Sequence, residues 1–365
     1  MGAFEIALMG GDGIGPEVTA EAVRALEAVG QRFGHAFAMR EALVGQAAID
    51  HEGIAISDKT MALANRADAI LFGAVGGTAV GDPNSKTEPM HALYRLRRDL
   101  NLFANVRPIR PLPALLGSST LKRAALRGVD MLVVRELTGG IYYGKPSAIQ
   151  DGPHGASAVD TMVYTEEEIE RIARYAFGLA RDRRKHVTSV DKANVLSCSR
   201  LWRRVVDRVH ADFPDVMLRH MLVDACSMAL IRSPREFDVV VTENLFGDIL
   251  TDEASMLTGS LGMLPSASLG ARRTAYGQFG LYEPIHGSAP DIAGQDKANP
   301  LATILTVALL LRYSLGLKRA AAAVERAVRQ VVAAGYRTAD IAGPGEAIVS
   351  TRAMGDAVVH AILGD

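Results

Sequence analysis

Short apolar runs, each followed by a stretch with helical spacing, recur along this chain and limit its fold more than any other feature. FEIALMG (residues 4–10), ADAILFGAV (67–75), VDMLVV (129–134), KHVTSVD (185–191), VMLRHMLVD (216–224) and FDVVVT (237–242) read as strands. Strands alternating with helices build an α/β protein around a largely parallel sheet. LATILTVALLL (301–311) is too short to cross a bilayer and reads as a buried helix. From Lys318 to Asp365 the pattern is an Ala-rich helix, a Gly-rich turn and a closing helix. GGTAVGDPNSKTEP (76–89) reads as a loop before an arginine-rich helix, and QDGPHG (150–155) as a hairpin tip.

At 365 residues the chain is long for one core and comfortable for two lobes. Lys and Arg number 40 against 41 Asp and Glu, a balance that argues against nucleic acid as the main partner. Only Cys198 and Cys226 occur, which fits a reduced cytoplasmic setting better than a disulfide scaffold. The opening MGAFEIALMGGDGIGPE lacks the basic start of a signal peptide, and Ile6 stands where a myristoylation motif wants Ser or Thr. The expectation is a soluble protein with no membrane partner.

The glycine turn GGDGIGPE fails as a dinucleotide fingerprint. Gly11 and Gly13 supply two glycines of G-x-G-x-x-G, but Pro16 takes the third place. Pro16 does suit the first turn of a helix.

Several side chains could carry chemistry. Arg97, Arg107 and Arg135 fall within a short span, and three converging guanidiniums would bind a small polycarboxylate through bidentate forks. From spacing alone, any one of them is better read as a solvated surface arginine. Arg107 precedes Pro108 and is biased to extended backbone. In ENLFGDILTDEASM, Asp248 and Asp252 fall at i and i+4 on one helix face, where they repel unless something positive lies between them. Such hard oxygen ligands suit Mg²⁺ or Mn²⁺, and a helix start that merely tolerates acids fits equally well. Asp224, placed at the end of VMLRHMLVD, is a possible third ligand. Lys192 follows a strand, where α/β proteins put their ligands, and is a candidate base, with Tyr142 a candidate acid. His186 and His220 read as ordinary strand residues.

Together these stretches resemble the isocitrate/isopropylmalate dehydrogenase family, nearly end to end. The blocks carrying the resemblance are GGDGIGPEV, FANVRP, VRELTGGIYYG, SVDKANVL, TENLFGDILTDEASMLTGSLGMLPSASLG and YEPIHGSAPDIAGQDKANP. The resemblance implies a two-lobed α/β fold with a large mixed, mostly parallel sheet that is not a Rossmann fold. One lobe would hold residues 1–102 and 259–365, the other residues 103–258 with the dimer interface. The implied activity is NAD-dependent oxidative decarboxylation of 3-isopropylmalate to 4-methyl-2-oxopentanoate, a step of leucine biosynthesis. Arg97, Arg107 and Arg135 would hold the malate carboxylates. Asp248 and Asp252 of one subunit, with Asp224 of its partner, would hold Mg²⁺ or Mn²⁺. Lys192, also from the partner, would take the C2 hydroxyl proton, and Tyr142 would protonate the enol. A site shared in this way implies a homodimer. The cofactor would lie along His286, Gly287, Ser288, Ala289, Pro290 and Asp291, with Asn299 beyond and Ile14, Asn194 and Glu283 beside it. Asp291 would accept from a ribose 2′-OH and repel a 2′-phosphate, so NAD is expected over NADP.

Substrate choice falls on the face carrying Arg97, where helical spacing places Met90, Leu93 and Tyr94. The apolar Leu93 argues against isocitrate and for an alkyl substituent. The pattern departs from the usual isopropylmalate one at Met90, Tyr94 and Ser197, in VDACSMAL, and in the loop at 76–89. A paralogue acting on D-malate, tartrate or another 3-substituted malate therefore stands as an alternative. A non-catalytic regulatory subunit is disfavoured, because Tyr142, Lys192, Asp224, Asp248 and Asp252 are all present.

Overall fold

The fold is described from a computed structural model covering residues 3–77 and 87–364. The loop expected at 76–89 lies, for residues 78–86, outside the described residues. In chain order the elements are β1 (Ala3–Gly11), α1 (Gly15–Phe33), β2 (Ala36–Glu41), α2 (Gln46–Glu52), α3 (Asp58–Arg66), β3 (Ala69–Ala74) and α4 (His91–Asp99). Then come β4 (Ala104–Ile109), α5 (Arg123–Leu126), β5 (Met131–Glu136), β6 (Ala148–Gln150), β7 (Ser157–Val159), α6 (Glu166–Arg181) and β8 (His186–Asp191). The rest are α7 (Ser197–His210), β9 (Met217–Leu222), α8 (Val223–Arg232), β10 (Val239–Thr242) and α9 (Asn244–Ser255). The chain closes with β11 (Pro265–Arg273), β12 (Gln278–Pro284), α10 (Leu301–Tyr313), α11 (Lys318–Ala333) and α12 (Thr351–Leu363).

These elements form two compact units, one of residues 1–102, 111–120 and 258–365, the other of 103–110 and 121–257. In the first unit the strands run β2-β1-β3-β12-β11, parallel except for the antiparallel β11–β12 pair. Strand alternation turns Ala7, Met9, Ile70, Phe72, Phe279 and Leu281 to one face, where they meet Met61 and Ala64 of α3 and Leu93 and Leu96 of α4. Helix α10 is buried at nearly every position and packs on β11, β12 and α1. It is apolar all round because it has no solvent face to serve. Among the described residues no helix is long and apolar enough to cross a membrane.

In the second unit the order is β4-β5-β10-β8-β9, with only β4 antiparallel to its neighbour. Helix α6 starts at a capping box, Thr165 with Glu168, and packs on β5, β10 and α7. Helix α9 lies across β4, β5 and β10. The QDGPHG segment joins β6 to its antiparallel partner β7, as a hairpin tip should.

The sequence reading missed four strands of the sheets, β2, β4, β11 and β12, and carried one too far. VMLRHMLVD was read as a strand through Asp224, but β9 ends at Leu222 and Asp224 sits in the first turn of α8. Replacing the fully buried Leu310 of α10 by Ala should cost about 2–5 kcal/mol through the cavity left behind. The urea unfolding midpoint would show this as a drop without loss of secondary structure.

Candidate active site

Pro108 removes a backbone donor yet leaves Arg107 extended, so ANVRPI forms β4. Asn105 and Arg107 are two apart and share a face of β4, and Asn105 stands opposite Arg135 of β5 in the ladder. Arg107 and Arg135 are only 6% and 4% exposed, so both charges need partners. Helix α9 provides most of them. Arg135 donates from Nε to Asn244 Oδ1 at 2.9 Å and from Nη1 to Asp248 Oδ1. Arg107 donates from Nε to Asn105 Oδ1 at 2.7 Å and from Nη1 to Thr251 Oγ1.

The positive group that the Asp248–Asp252 pair demands is Arg107. Its guanidinium lies 3.9 Å from Asp248 and 3.7 Å from Asp252. Burial works to raise the Asp248 carboxyl, but Arg135 and Arg107 outweigh it and hold the group below its usual range. Asp252 goes the other way. Burial and the neighbouring Asp248 charge raise its carboxyl despite Arg107. Two hard carboxylates on one face, one of them short of positive charge, are a donor set that fits Mg²⁺ or Mn²⁺. Tyr142, in a short turn spanning Gly140–Tyr142, donates its hydroxyl to Asp248 Oδ2 at 2.9 Å.

Lys192 and Asp224 form a second cluster. Lys192 follows β8 directly, its backbone N–H donates to Ser199 Oγ at 3.0 Å, and its Nζ donates to Asp224 Oδ1 at 2.7 Å. That hydrogen bond holds the Asp224 carboxyl below its usual range. Among the described residues no three His, Cys, Asp or Glu side chains gather closely enough to hold a metal within the chain. Asn194 is exposed in the turn that follows Lys192.

The first unit carries the remaining candidates. Arg97 is buried and donates from Nη2 to Glu283 Oε1 at 2.7 Å. Leu93 belongs to the apolar cluster on α3 and α4, Met90 packs against it, and Tyr94 is half-buried. The proposed cofactor loop is tied to the glycine turn. The Ile14 N–H donates to the Ser288 carbonyl at 2.8 Å, and Ser288 Oγ donates to the Gly76 carbonyl at 3.0 Å. Gly13 has φ +57°, and a Cβ there would stand 2.0 Å from the Ser288 oxygen, so only glycine permits this approach. Ala289 has a positive φ of 38°, Gly287 and Asp291 are exposed, and the Asn299 amide is held between Asp340 and the Leu301 N–H. Burial pushes the His286 imidazole below its ordinary range, so it is neutral at pH 7. Its Nε2 is buried without a hydrogen-bond partner among the described residues, as suits a loop that receives a polar ligand.

Asn105, Asn244, Gly247 and Thr251 escaped the sequence reading, although Asn244, Gly247 and Thr251 share the periodicity that revealed Asp248. Asp12 was also missed. Its carboxylate accepts from the N–H groups of Gln46, Ala47 and Gly76 at 3.0, 3.1 and 3.1 Å.

Comparison with known proteins gives consistent results. Residues 5–358 match the family model described as isocitrate/isopropylmalate dehydrogenase. The chain is 55% identical over 365 residues to the 3-isopropylmalate dehydrogenase of Geobacillus kaustophilus (strain HTA426), covering 100% of this chain and 96% of the relative. It is 55% identical over 357 residues to that of Anaeromyxobacter dehalogenans (strain 2CP-C), covering 97% and 98%. Among solved structures, isocitrate dehydrogenase from Methylococcus capsulatus aligns with a TM-score of 0.87 at 35% identity, covering 99% of each chain. A beta-decarboxylating dehydrogenase from Thermococcus kodakarensis aligns with a TM-score of 0.78 at 35% identity, covering 98% of this chain and 96% of the other.

The raised Asp252 carboxyl has a consequence for stability. A carboxyl that binds its proton more tightly when folded destabilises the fold at pH values above its folded pKa. That penalty vanishes below the unfolded value of about 3.9. Asp252→Asn should therefore unfold at a higher temperature than the unmodified chain at pH 7 in metal-free buffer. The gap should close as the pH falls toward about 4, which thermal melts across that range would reveal.

Proposed function

We propose that this chain, which belongs to the isocitrate/isopropylmalate dehydrogenase family and is an oxidoreductase, catalyses the NAD- and divalent-metal-dependent oxidative decarboxylation of 3-isopropylmalate. The observation that carries the reading is the face formed by β4, β5 and α9, where Arg107, Arg135, Tyr142, Asp248 and Asp252 converge. Arg107 and Arg135, with Arg97, hold the two malate carboxylates through their guanidinium forks. Asp248 and Asp252, completed by Asp224 of a second copy, hold Mg²⁺ or Mn²⁺.

NAD held along the His286–Asp291 loop would supply the hydride acceptor, and Mg²⁺ or Mn²⁺ held by Asp248 and Asp252 would supply Lewis acidity at the C2 oxygen. Lys192, once its ammonium has given up a proton to solvent, takes the C2 hydroxyl proton as the neutral amine; the Asp224 carboxylate to which Nζ donates has to move off first. The carboxylate on C3 then departs as carbon dioxide, its bonding electrons passing to C3. Tyr142 gives C3 the proton that completes 4-methyl-2-oxopentanoate. His286, Ser288 and Asp291, with Ile14, Asn194, Glu283, Gly287, Ala289 and Asn299, form the cofactor site. The exposed Asp291 carboxylate selects NAD over its 2′-phosphorylated form.

Two copies make the site. The third metal ligand and the base lie together in the Lys192–Asp224 cluster, apart from the cluster they would complete. Helices α8 and α9 also leave Met228, Ile231 and Ile249 exposed, as is Met256 just past the end of α9, apolar surface that a second copy would cover.

The purified chain with Mn²⁺ and NAD should form NADH fastest from 3-isopropylmalate, among a panel that includes D-malate, tartrate, isocitrate and 3-benzylmalate. NADP should be a poor substitute, and EDTA should abolish turnover. A preference for another malate would keep the chemistry and assign its specificity to Met90 and Tyr94. Lys192→Met should lower kcat by about 10²–10⁴-fold. Mixing inactive Lys192→Met and Asp252→Asn subunits should restore about a quarter of the activity, since half the random dimers hold one intact site in two. No recovery after subunit exchange would exclude a shared site.

A further inference from the structure

The two arginines of the β4–β5 face are held in a particular way. Each offers its Nε edge to a neutral amide oxygen, Arg107 to Asn105 and Arg135 to Asn244, where an ion-pairing carboxylate could equally have stood. A neutral acceptor fixes the plane of a guanidinium without cancelling its charge, which is left to the Nη side that faces Asp248 and Asp252 and would face an anionic ligand. Asn105 and Asn244 are 0% and 1% exposed, so neither can exchange this contact for water.

Helix α9 adds two further constraints. The Thr251 hydroxyl donates to the Gly247 carbonyl at 2.7 Å, which anchors its only proton in the helix and turns a lone pair toward Arg107 Nη1. Gly247 lies inside α9, where glycine weakens a helix. Its absent side chain makes room for Arg135: a Cβ there would stand 2.7 and 2.9 Å from Arg135 Cγ and Cβ. Asn244, Gly247, Asp248 and Thr251 recur at helical spacing, so the face that presents a metal ligand also sets both guanidiniums.

We propose that Asn105, Asn244, Gly247 and Thr251 are positioning residues that fix the planes of Arg107 and Arg135 relative to Asp248 and Asp252. Their effect on turnover rests on the reading of these arginines as the malate clamp. They act by holding the arginines, and Asn244 also donates to the Gly139 carbonyl at 3.0 Å.

The test compares Thr251→Val, which keeps the shape and loses the acceptor, with Thr251→Ser, which keeps the acceptor. Thr251→Val should raise KM for the malate by up to about a hundred-fold, the effect of displacing a binding group by roughly 1 Å. KM for NAD should stay near that of the unmodified chain, and Thr251→Ser should recover most of the loss. Crystal structures of Thr251→Val and Gly247→Ala should show Arg107 and Arg135 turned out of their present planes, with the backbone of α9 unmoved. Equal KM values for Val, Ser and the unmodified chain would overturn the proposal, as would equal losses in Val and Ser. Unmoved guanidiniums in both crystal structures would also overturn it. If the unmodified chain oxidises no malate, the proposed function fails, and those two structures still decide whether α9 sets the arginines.

Discussion

Arg135 leaves β5 with its guanidinium almost wholly out of water, and a charge so placed has to be matched by groups that are themselves held still. Much of the second unit is arranged to meet that demand. Asn244 accepts from Arg135 and passes its own amide proton to the Gly139 carbonyl at 3.0 Å, which pins the turn carrying Tyr142. The start of α9 is fixed in turn by Glu243, whose carboxylate accepts from the Leu245 and Phe246 N–H groups, and by Tyr164, whose hydroxyl accepts from the Asn244 N–H. Burial raises both the Glu243 carboxyl and the Tyr164 hydroxyl. Helix start, arginine and tyrosine turn are one polar network.

The first unit solves a different problem. Its glycine turn looks like a phosphate cradle and is built as a clasp. Asp12 caps the start of α2 and ties in Gly76, while the turn at Gly13 and Ile14 grips the carbonyl of Ser288 from far along the chain. The glycines are needed for the close approach of two backbones. Pro16, in the place of the third fingerprint glycine, stands in the first turn of α1, where its missing N–H leaves no helical hydrogen bond unmade.

What was legible in the sequence was local. The i, i+4 spacing of Asp248 and Asp252 placed them on one face, and Pro108 fixed the extended backbone at Arg107. The α8 boundary was not legible because its N-cap is Leu222, which offers no side-chain acceptor to mark where the strand stops. Strands β11 and β12 hid behind small residues and glycines, and their pairing is antiparallel in a chain whose pattern announces parallel strands. The Arg97–Glu283 pair joins positions 186 residues apart, and no spacing rule reaches that far. Asn105 and Thr251 look like ordinary polar residues until their arginines are seen beside them. The blocks that resemble a known family pointed to that family and to its mostly parallel α/β sheet, which periodicity alone does not single out.

The order of strands in the first sheet bears on how the chain is made. Strand β12 lies between β3 and β11, so the sheet begun by the first hundred residues is completed only by strands that follow residue 258. On a ribosome the amino-terminal strands emerge early and wait with an open edge while the whole second unit is synthesised. That second unit is almost continuous and can close while the wait lasts. The slow step in maturation should then be the return of β12 to β3, a pairing of high sequence separation. Until it happens the edge of β3 is a strand without a partner, and the nascent chain is most exposed to misassembly there.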